Sequence, residues 1–480
     1  MIRSTVWRTL RDRAATAPTS PAVSVRGQTG QWRTLTWRDF VDLVDFRAAR
    51  STGVRVGARD AVLVEEPNGP EFLASVVAAW AVGRSPLVVP HGIPENERAA
   101  LLGKLHATGG AFDGGAETAD GSEPDLAWFF PSGGTTGLPT LTPVRGLPRD
   151  LVASQQMLLS QMRWKPEGTQ LVMGPLSHTA PFTSALAGLA GGNHVVVLQR
   201  WSLPAVLDAA RRYPPTWFQT TPHQMSMIAA HEPAFTALVA RLDGMMHTAA
   251  PCPEKVKAVW MDRIGPERVY ELYGSTQMVG AVFCSGEQWL AHPGTVGRPF
   301  MTQVRVVDQR GRRLPPGQVG EIYLRSAATQ RLQPAQLRHV RTLPGGFCSV
   351  GDLGNVDADG YLYLTDRVDD VIIVGGANVS TREIEAVLLR HPRVTDTVVV
   401  GRADSLLGMV PAAVIVADNA GPAPGIPDIQ AHCRASLSAH KVPVHVEFVP
   451  AIERSPAGKV QRFKYRDHDD AGRRDPAPRR

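Results

Sequence analysis

The chain of 480 residues has few cysteines, Cys252, Cys284, Cys348 and Cys433, and no two of them form a C-x-x-C pair. This spacing excludes a thiolate zinc site and a disulfide framework, so reduced, buried thiols are expected. Long apolar runs are missing too. The longest, 73–82, is far short of the roughly 20 residues that a spanning helix needs. The N-terminal MIRSTVWRTLRDR has no apolar signal core, so a cytoplasmic chain with no membrane partner is expected. Neither G-x-x-x-x-G-K-[ST] nor G-x-G-x-x-G occurs, which rules out the two commonest phosphate-cradling strings. Lysine is scarce, seven against 44 arginines, and no internal repeat is present.

What is there is ordinary for a globular protein: 43% apolar and 20% charged residues. The length accommodates roughly three domain-sized units. The formal charge of +6 sits at the ends, with +3 on residues 1–13 and +3 on 473–480. The body between them is formally neutral, and no aromatic interleaves with the tail arginines, so a nucleic-acid partner is not expected.

From Ala61 onward, short β-branched runs alternate with segments of helical period, the pattern of βαβ units and a largely parallel sheet. AVLVE (61–65), PLVVP (86–90), HVVVLQ (194–199), TWFQTT (216–221), GMMHTA (244–249) and RVYELYG (268–274) are the strands. After about Gly294 the texture becomes strands and tight turns, which predicts a small antiparallel sheet or barrel. Asp357-x-Asp359-Gly360 reads as a hairpin turn, being too short for a calcium loop. Ser380 and Glu383 have capping-box spacing, and Ile384, Val387 and Leu388 share one face, so 381–391 is a helix stopped by Pro392. The resulting fold class is α/β. A large N-terminal domain (1–366) comprises two βαβ-type subdomains plus a small barrel. A smaller, mobile α+β domain (367–466) follows, with 421–427 a surface loop and 467–480 a disordered basic tail.

The strongest local signal is PSGGTTGLP, 131–139, directly after the strand-like LAWFF. Its glycines expose backbone N–H groups, and Ser132, Thr135 and Thr136 add hydroxyl donors, a composition suited to an anionic phosphate; a structural loop of the same composition is the alternative. With it occur PLSH (175–178), AAP (249–251), YGST (273–276), VGDLG (350–354), DRVDDVIIVGGANVSTREIE (366–385) and SPAGKVQR (455–462). In this order the motifs resemble the adenylate-forming superfamily of acyl-CoA synthetases, luciferases and peptide-synthetase adenylation domains. HTAAPCP, ELYG and GGANV look closest to the free-standing acyl-CoA ligases.

The resemblance implies that Ser132, Gly133, Gly134, Thr135, Thr136 and Gly137 hold the phosphates of ATP, with Gly274 and Ser275 close by. Tyr273 would stack on adenine while the backbone of Ala250 and Pro251 runs along the base edge; a core tyrosine is the alternative. Asp352 is an acceptor-only carboxylate suited to ribose hydroxyls, and Arg367 would add a second contact. Lys459 would bridge the carboxylate and the α-phosphate as an acyl-adenylate forms. Asp369 stands at the family's hinge, about which the C-terminal domain swings to bring the Gly375–Gly376 loop toward the acceptor thiol. His178 would gate the acid pocket, although a structural histidine also fits. Phe182, Trp217, His223, Met225 and Met278 are pocket candidates, each equally suited to a core.

Two departures stand out: Thr140 replaces the lysine to which the family's phosphate loop continues, and Gln277 replaces the carboxylate that helps hold Mg²⁺. One loses a cation and the other an anion. Thr276 and a weaker ligand, Gln277, remain for the metal. The implied activity is adenylation of a small-molecule acid with ATP and Mg²⁺, then transfer to coenzyme A. An aromatic or polycyclic acid ranks ahead of a long fatty chain. The alternatives are an unusual acid such as nitrite passed to an aryl amine, and a binding protein with impaired metal use. No carrier domain is expected after residue 462, and a homodimer is compatible with this reading.

Overall fold

The computed structural model describes residues 5–51, 54–56, 59–107, 126–132, 140–327, 329, 340–418, 421–422, 424–455 and 458–466. The phosphate-loop residues Gly133–Gly137 and the tail 467–480 lie outside these. Two compact units are present. One consists of residues up to Arg305 with Tyr323–Val350 and Asp359–Leu362; the other has Val306–Ile322, Gly351–Ala358 and the chain from Tyr363 onward. The fold is mixed α/β, as the alternation of strand and helix patterns predicts. No helix among the described residues is long and apolar enough to cross a membrane.

In the first unit a parallel array runs Val269–Gly274, Gly244–His247, Trp217–Thr220, Thr169–Val172, His194–Leu198 and Pro21–Arg26. Ala281–Ser285 and Thr295–Phe300 extend it antiparallel beyond Val269–Gly274. A second, five-stranded sheet runs from Val54–Val56 through Arg59–Val64, Ser85–Val88 and Leu126–Ser132 to Thr140–Arg145. The helix Pro70–Ala81 is apolar nearly all round and buried along almost its whole length, as a helix enclosed by core must be. Around it gather Trp7, Phe40, Trp128, Phe130 and Phe182, with the Phe130 and Phe182 rings edge to face at 5.0 Å.

Three pocket candidates belong to the core instead. Phe182 and Met225 are completely buried and Trp217 almost so. Trp217 also donates its indole N–H to the Met162 carbonyl at 3.1 Å. Periodicity marks such residues as apolar and inward but does not separate a packed interior from a ligand-lined wall.

In the second unit, strands Ile372–Val374, Ala377–Val379, Val394–Asp404, Gly408–Ala417 and His445–Phe448 form one sheet. The helices Thr381–Leu388 and Ile426–Arg434 close its core through Ile384, Leu388, Ile429 and Cys433. The Ser380 hydroxyl accepts from the Glu383 N–H at 3.2 Å. The Glu383 carboxylate pairs with Lys441 at 2.7 Å rather than returning to the cap, and the helix ends three residues earlier than its pattern predicts. The second helix begins inside the expected loop, with Pro427 in its first turn, where a missing N–H costs nothing.

Candidate active site

In the first unit the residues after two neighbouring parallel strands come together, because open α/β sheets place their loops at the carboxyl ends of the strands. Gly244–His247 leads into Thr248–Pro251, and Val269–Gly274 ends on Tyr273 and Gly274. The Thr248 hydroxyl ties the two by donating to the Leu272 carbonyl at 2.7 Å. Ala249 has φ of 81°, a left-handed conformation that a non-glycine residue keeps only where its surroundings impose it. Ala249 and Pro251 are exposed and Tyr273 is half-buried.

Beyond Tyr273 the chain turns, the Met278 N–H donating to the Ser275 carbonyl at 2.9 Å and Met278 taking φ of 52°. The Ser275 hydroxyl is enclosed without a hydrogen-bond partner. Thr276 and Gln277 are half-buried. Their hydroxyl and amide oxygens are hard, neutral donors, which fit a hydrated Mg²⁺ that arrives on phosphate better than a resident ion. His178 caps the helix Thr179–Ala190 through its backbone and makes no side-chain capping bond. Of the other pocket candidates, His223 is exposed and Met278 half-buried.

In the second unit Asp352 opens the strand Asp352–Val356 and pairs with Arg367 at 3.5 Å. A backbone bond of 2.8 Å from the Val368 N–H to the Gly351 carbonyl keeps the two segments in register. Lys459 belongs to this group. The Ser455 N–H donates to the Lys459 carbonyl at 2.8 Å, the Lys459 N–H donates to the Ser455 hydroxyl at 3.3 Å, and Gly458 has φ of 78°. Arg454 anchors the base of this turn to Asp396 at 2.7 Å. Although the Lys459 residue is exposed overall, its ammonium is crowded by protein. That crowding and then the Arg367 guanidinium pull its pKa below the ordinary lysine range, Asp352 opposing.

Asp369 is exposed, while its neighbour Asp370 pairs with Arg466 at 2.8 Å. Gly375 and Gly376 fill a two-residue hairpin turn between Val374 and Ala377. Their φ values of 55° and 87° meet the demand of such a turn for positive φ at both positions.

Sequence reasoning missed two ion pairs next to these motifs, Lys257 with Glu271 and Arg462 with Glu385. The scarcity of lysine was a signal pointing at Lys257.

The AMP-binding enzyme family matches residues 104–331, and the AMP-binding enzyme C-terminal domain matches 383–459. A sulfoacetate–CoA ligase of Cupriavidus necator is 31% identical over 354 residues, 72% of this chain and 68% of that one. A feruloyl-CoA synthase of an Amycolatopsis species is 29% identical over 450 residues, 87% and 90% of the two chains. Among solved structures, the amide bond synthetase McbA from Marinactinospora thermotolerans superposes with a TM-score of 0.78 at 25% identity, over 96% of this chain and 99% of that one. The order of the motifs, the two-unit α/β fold and these likenesses lead to one conclusion: the chain belongs to the AMP-binding, adenylate-forming enzyme family and is an acid ligase of that family.

Proposed function

We propose that this ligase activates a small carboxylic acid with ATP and transfers the acyl group to coenzyme A. The carrying observation is the convergence of Lys459, Arg367 and Asp352 within one unit. An acceptor-only carboxylate and two cations are the complement of a ribose diol beside a phosphate and a carboxylate. The acid's carboxylate oxygen attacks the α-phosphorus, the bond to the pyrophosphate oxygen breaks, and acyl-adenylate and pyrophosphate result. Lys459 holds the charge that builds on the attacking and phosphoryl oxygens. Asp352 orients the ribose and Tyr273 the base. Mg²⁺, bound beside Thr276 and Gln277, would neutralise triphosphate charge. After a swing about Asp369, the hairpin of Gly375 and Gly376 would guide the thiol, whose sulfur displaces AMP from the acyl carbon.

A second reading replaces the thiol with an amine. The likeness to an amide bond synthetase along nearly the whole chain favours it. One experiment separates the two: pyrophosphate release across an acid panel, nitrite included, with coenzyme A or an aryl amine as acceptor and products identified by mass. Lys459→Ala should lower pyrophosphate release by about 10²–10³-fold, the usual loss of a preorganised charge-stabilising group, while ATP still binds. Normal release by that variant would remove Lys459 from the chemistry.

A further inference from the structure

The helix Glu254–Ile264 points Lys257 back at the sheet, where its ammonium pairs with the Glu271 carboxylate on the strand Val269–Gly274. The Lys257 side chain is 3% exposed and that of Glu271 is 11%. The same ammonium lies 4.6 Å from the centre of the Trp289 ring. Withdrawing two charges from water costs several kcal/mol each, and a well-packed apolar pair is commonly as stable or more so. Fold stability alone therefore gives no reason for this pair.

Its position supplies one. Glu271 stands opposite His247 in the parallel ladder and two residues before Tyr273. Between His247 and Lys257 runs the segment 248–256, which contains Ala249, Ala250 and Pro251. That segment is fastened to Glu271 at both ends, by the ladder at His247 and by the ion pair at Lys257. The Thr248 bond to the Leu272 carbonyl is a third tie. Inside the loop so closed sits Ala249 in its left-handed conformation, which a non-glycine residue adopts at a steric cost.

The groups facing the pair carry no charge of their own. His247 is fully buried with neither ring nitrogen hydrogen-bonded, and burial with the Lys257 charge presses its pKa well below the usual range. Burial pushes the thiols of Cys252 and Cys284 up to about 12. Among the described residues, Lys257 is the charge that acts on the Glu271 carboxylate.

We infer that Lys257 and Glu271 are positioning residues for the nucleotide: their ion pair clamps the 248–256 segment so that the Ala249–Pro251 backbone and the Tyr273 ring keep the spacing an adenine requires. This rests on the adenylation reading above. The double variant Lys257→Met with Glu271→Gln removes the clamp in the full-length chain without leaving a buried charge unpaired. Calorimetry with ATP and with AMP should show both dissociation constants raised by the same factor, about tenfold or more, as expected when a binding group is displaced by a fraction of an ångström to an ångström. The melting temperature should stay near that of the parent.

A folded double variant that binds both nucleotides like the parent overturns the inference. So does one that loses ATP but keeps AMP, because the clamp acts at the base, which the two ligands share. A second measurement needs no variant: on adding AMP to the parent, amide hydrogen exchange in 248–256 and 269–274 should slow together. Protection of one segment without the other also overturns it. A parent chain that binds neither ATP nor AMP refutes the adenylation reading itself, a distinguishable result.

Discussion

Arg462 lies three residues past Lys459 and holds the end of the C-terminal unit to its core. It pairs with Glu385 at 2.8 Å, the two side chains being 20% and 15% exposed. It also donates to the Val399 carbonyl at 2.7 Å and lies 3.7 Å from Asp370. Arg462→Met keeps the apolar stem but leaves Glu385 enclosed with its Val399 N–H bond of 2.8 Å and no cation. Removing one partner of such a pair costs about 3–5 kcal/mol. At about 2–4 °C per kcal/mol for a unit approaching 150 residues, the local melting temperature should fall by at least about 6 °C.

The assay follows from where the tryptophans are. All ten of them, from Trp7 to Trp289, stand in the first unit. Tryptophan fluorescence therefore reports that unit, whereas circular dichroism reports both. In the variant, dichroism should show an early phase in which fluorescence is silent. The pH dependence has a definite sign. Burial already raises the Glu385 pKa above the ordinary carboxylate value, with Arg462 opposing. A group whose folded pKa is raised contributes stability that is complete below its unfolded pKa and fades as pH rises through the folded one. Without Arg462 that folded pKa climbs further, so the variant's deficit should be largest at neutral pH and shrink on acidification below it. Coincident parent-like transitions by both probes, or a deficit that grows on acidification, would refute the reasoning.

Restoring the family's charges at the two departures, Gln277→Glu with Thr140→Lys, should tighten the apparent affinity for Mg-ATP in a kinetic titration; unchanged affinity would refute the expectation that the two departures weaken Mg-ATP binding. In the native chain all four cysteines should react slowly with an aromatic disulfide reagent near pH 8, since burial raises every thiol pKa, Cys433 to about 11; a rapid stoichiometric phase would contradict this. Because the Lys459 pKa is lowered, its ammonium is lost earlier on raising the pH. Pyrophosphate release should therefore show an alkaline limb below the ordinary lysine range that Lys459→Ala abolishes.

The motifs were legible because they are local. Loop composition, the strand before Tyr273 and the paired glycines at 375 and 376 each state their own backbone requirement. The Ser380 cap was legible for the same reason, while the Glu383 carboxylate was diverted by Lys441, 58 residues away in sequence. The elements of the N-terminal 60 residues were not legible. Trp7, Trp37 and Phe40 pack into the core of the first unit, a partnership that no short window displays.

Sequence alone thus determined the α/β class and the family, because those depend on short-range pattern and on chemistry carried by single side chains. Tertiary structure decided which apolar residues are wall and which are core, moving Phe182, Trp217 and Met225 inward. It also decided which charges meet: Lys257 with Glu271, Arg462 with Glu385, and Arg367 with Asp352. Each pair joins two different elements of the chain, and the energy of the two enclosed ones, Lys257 with Glu271 and Arg462 with Glu385, depends on a burial that exists only once the chain has closed around them.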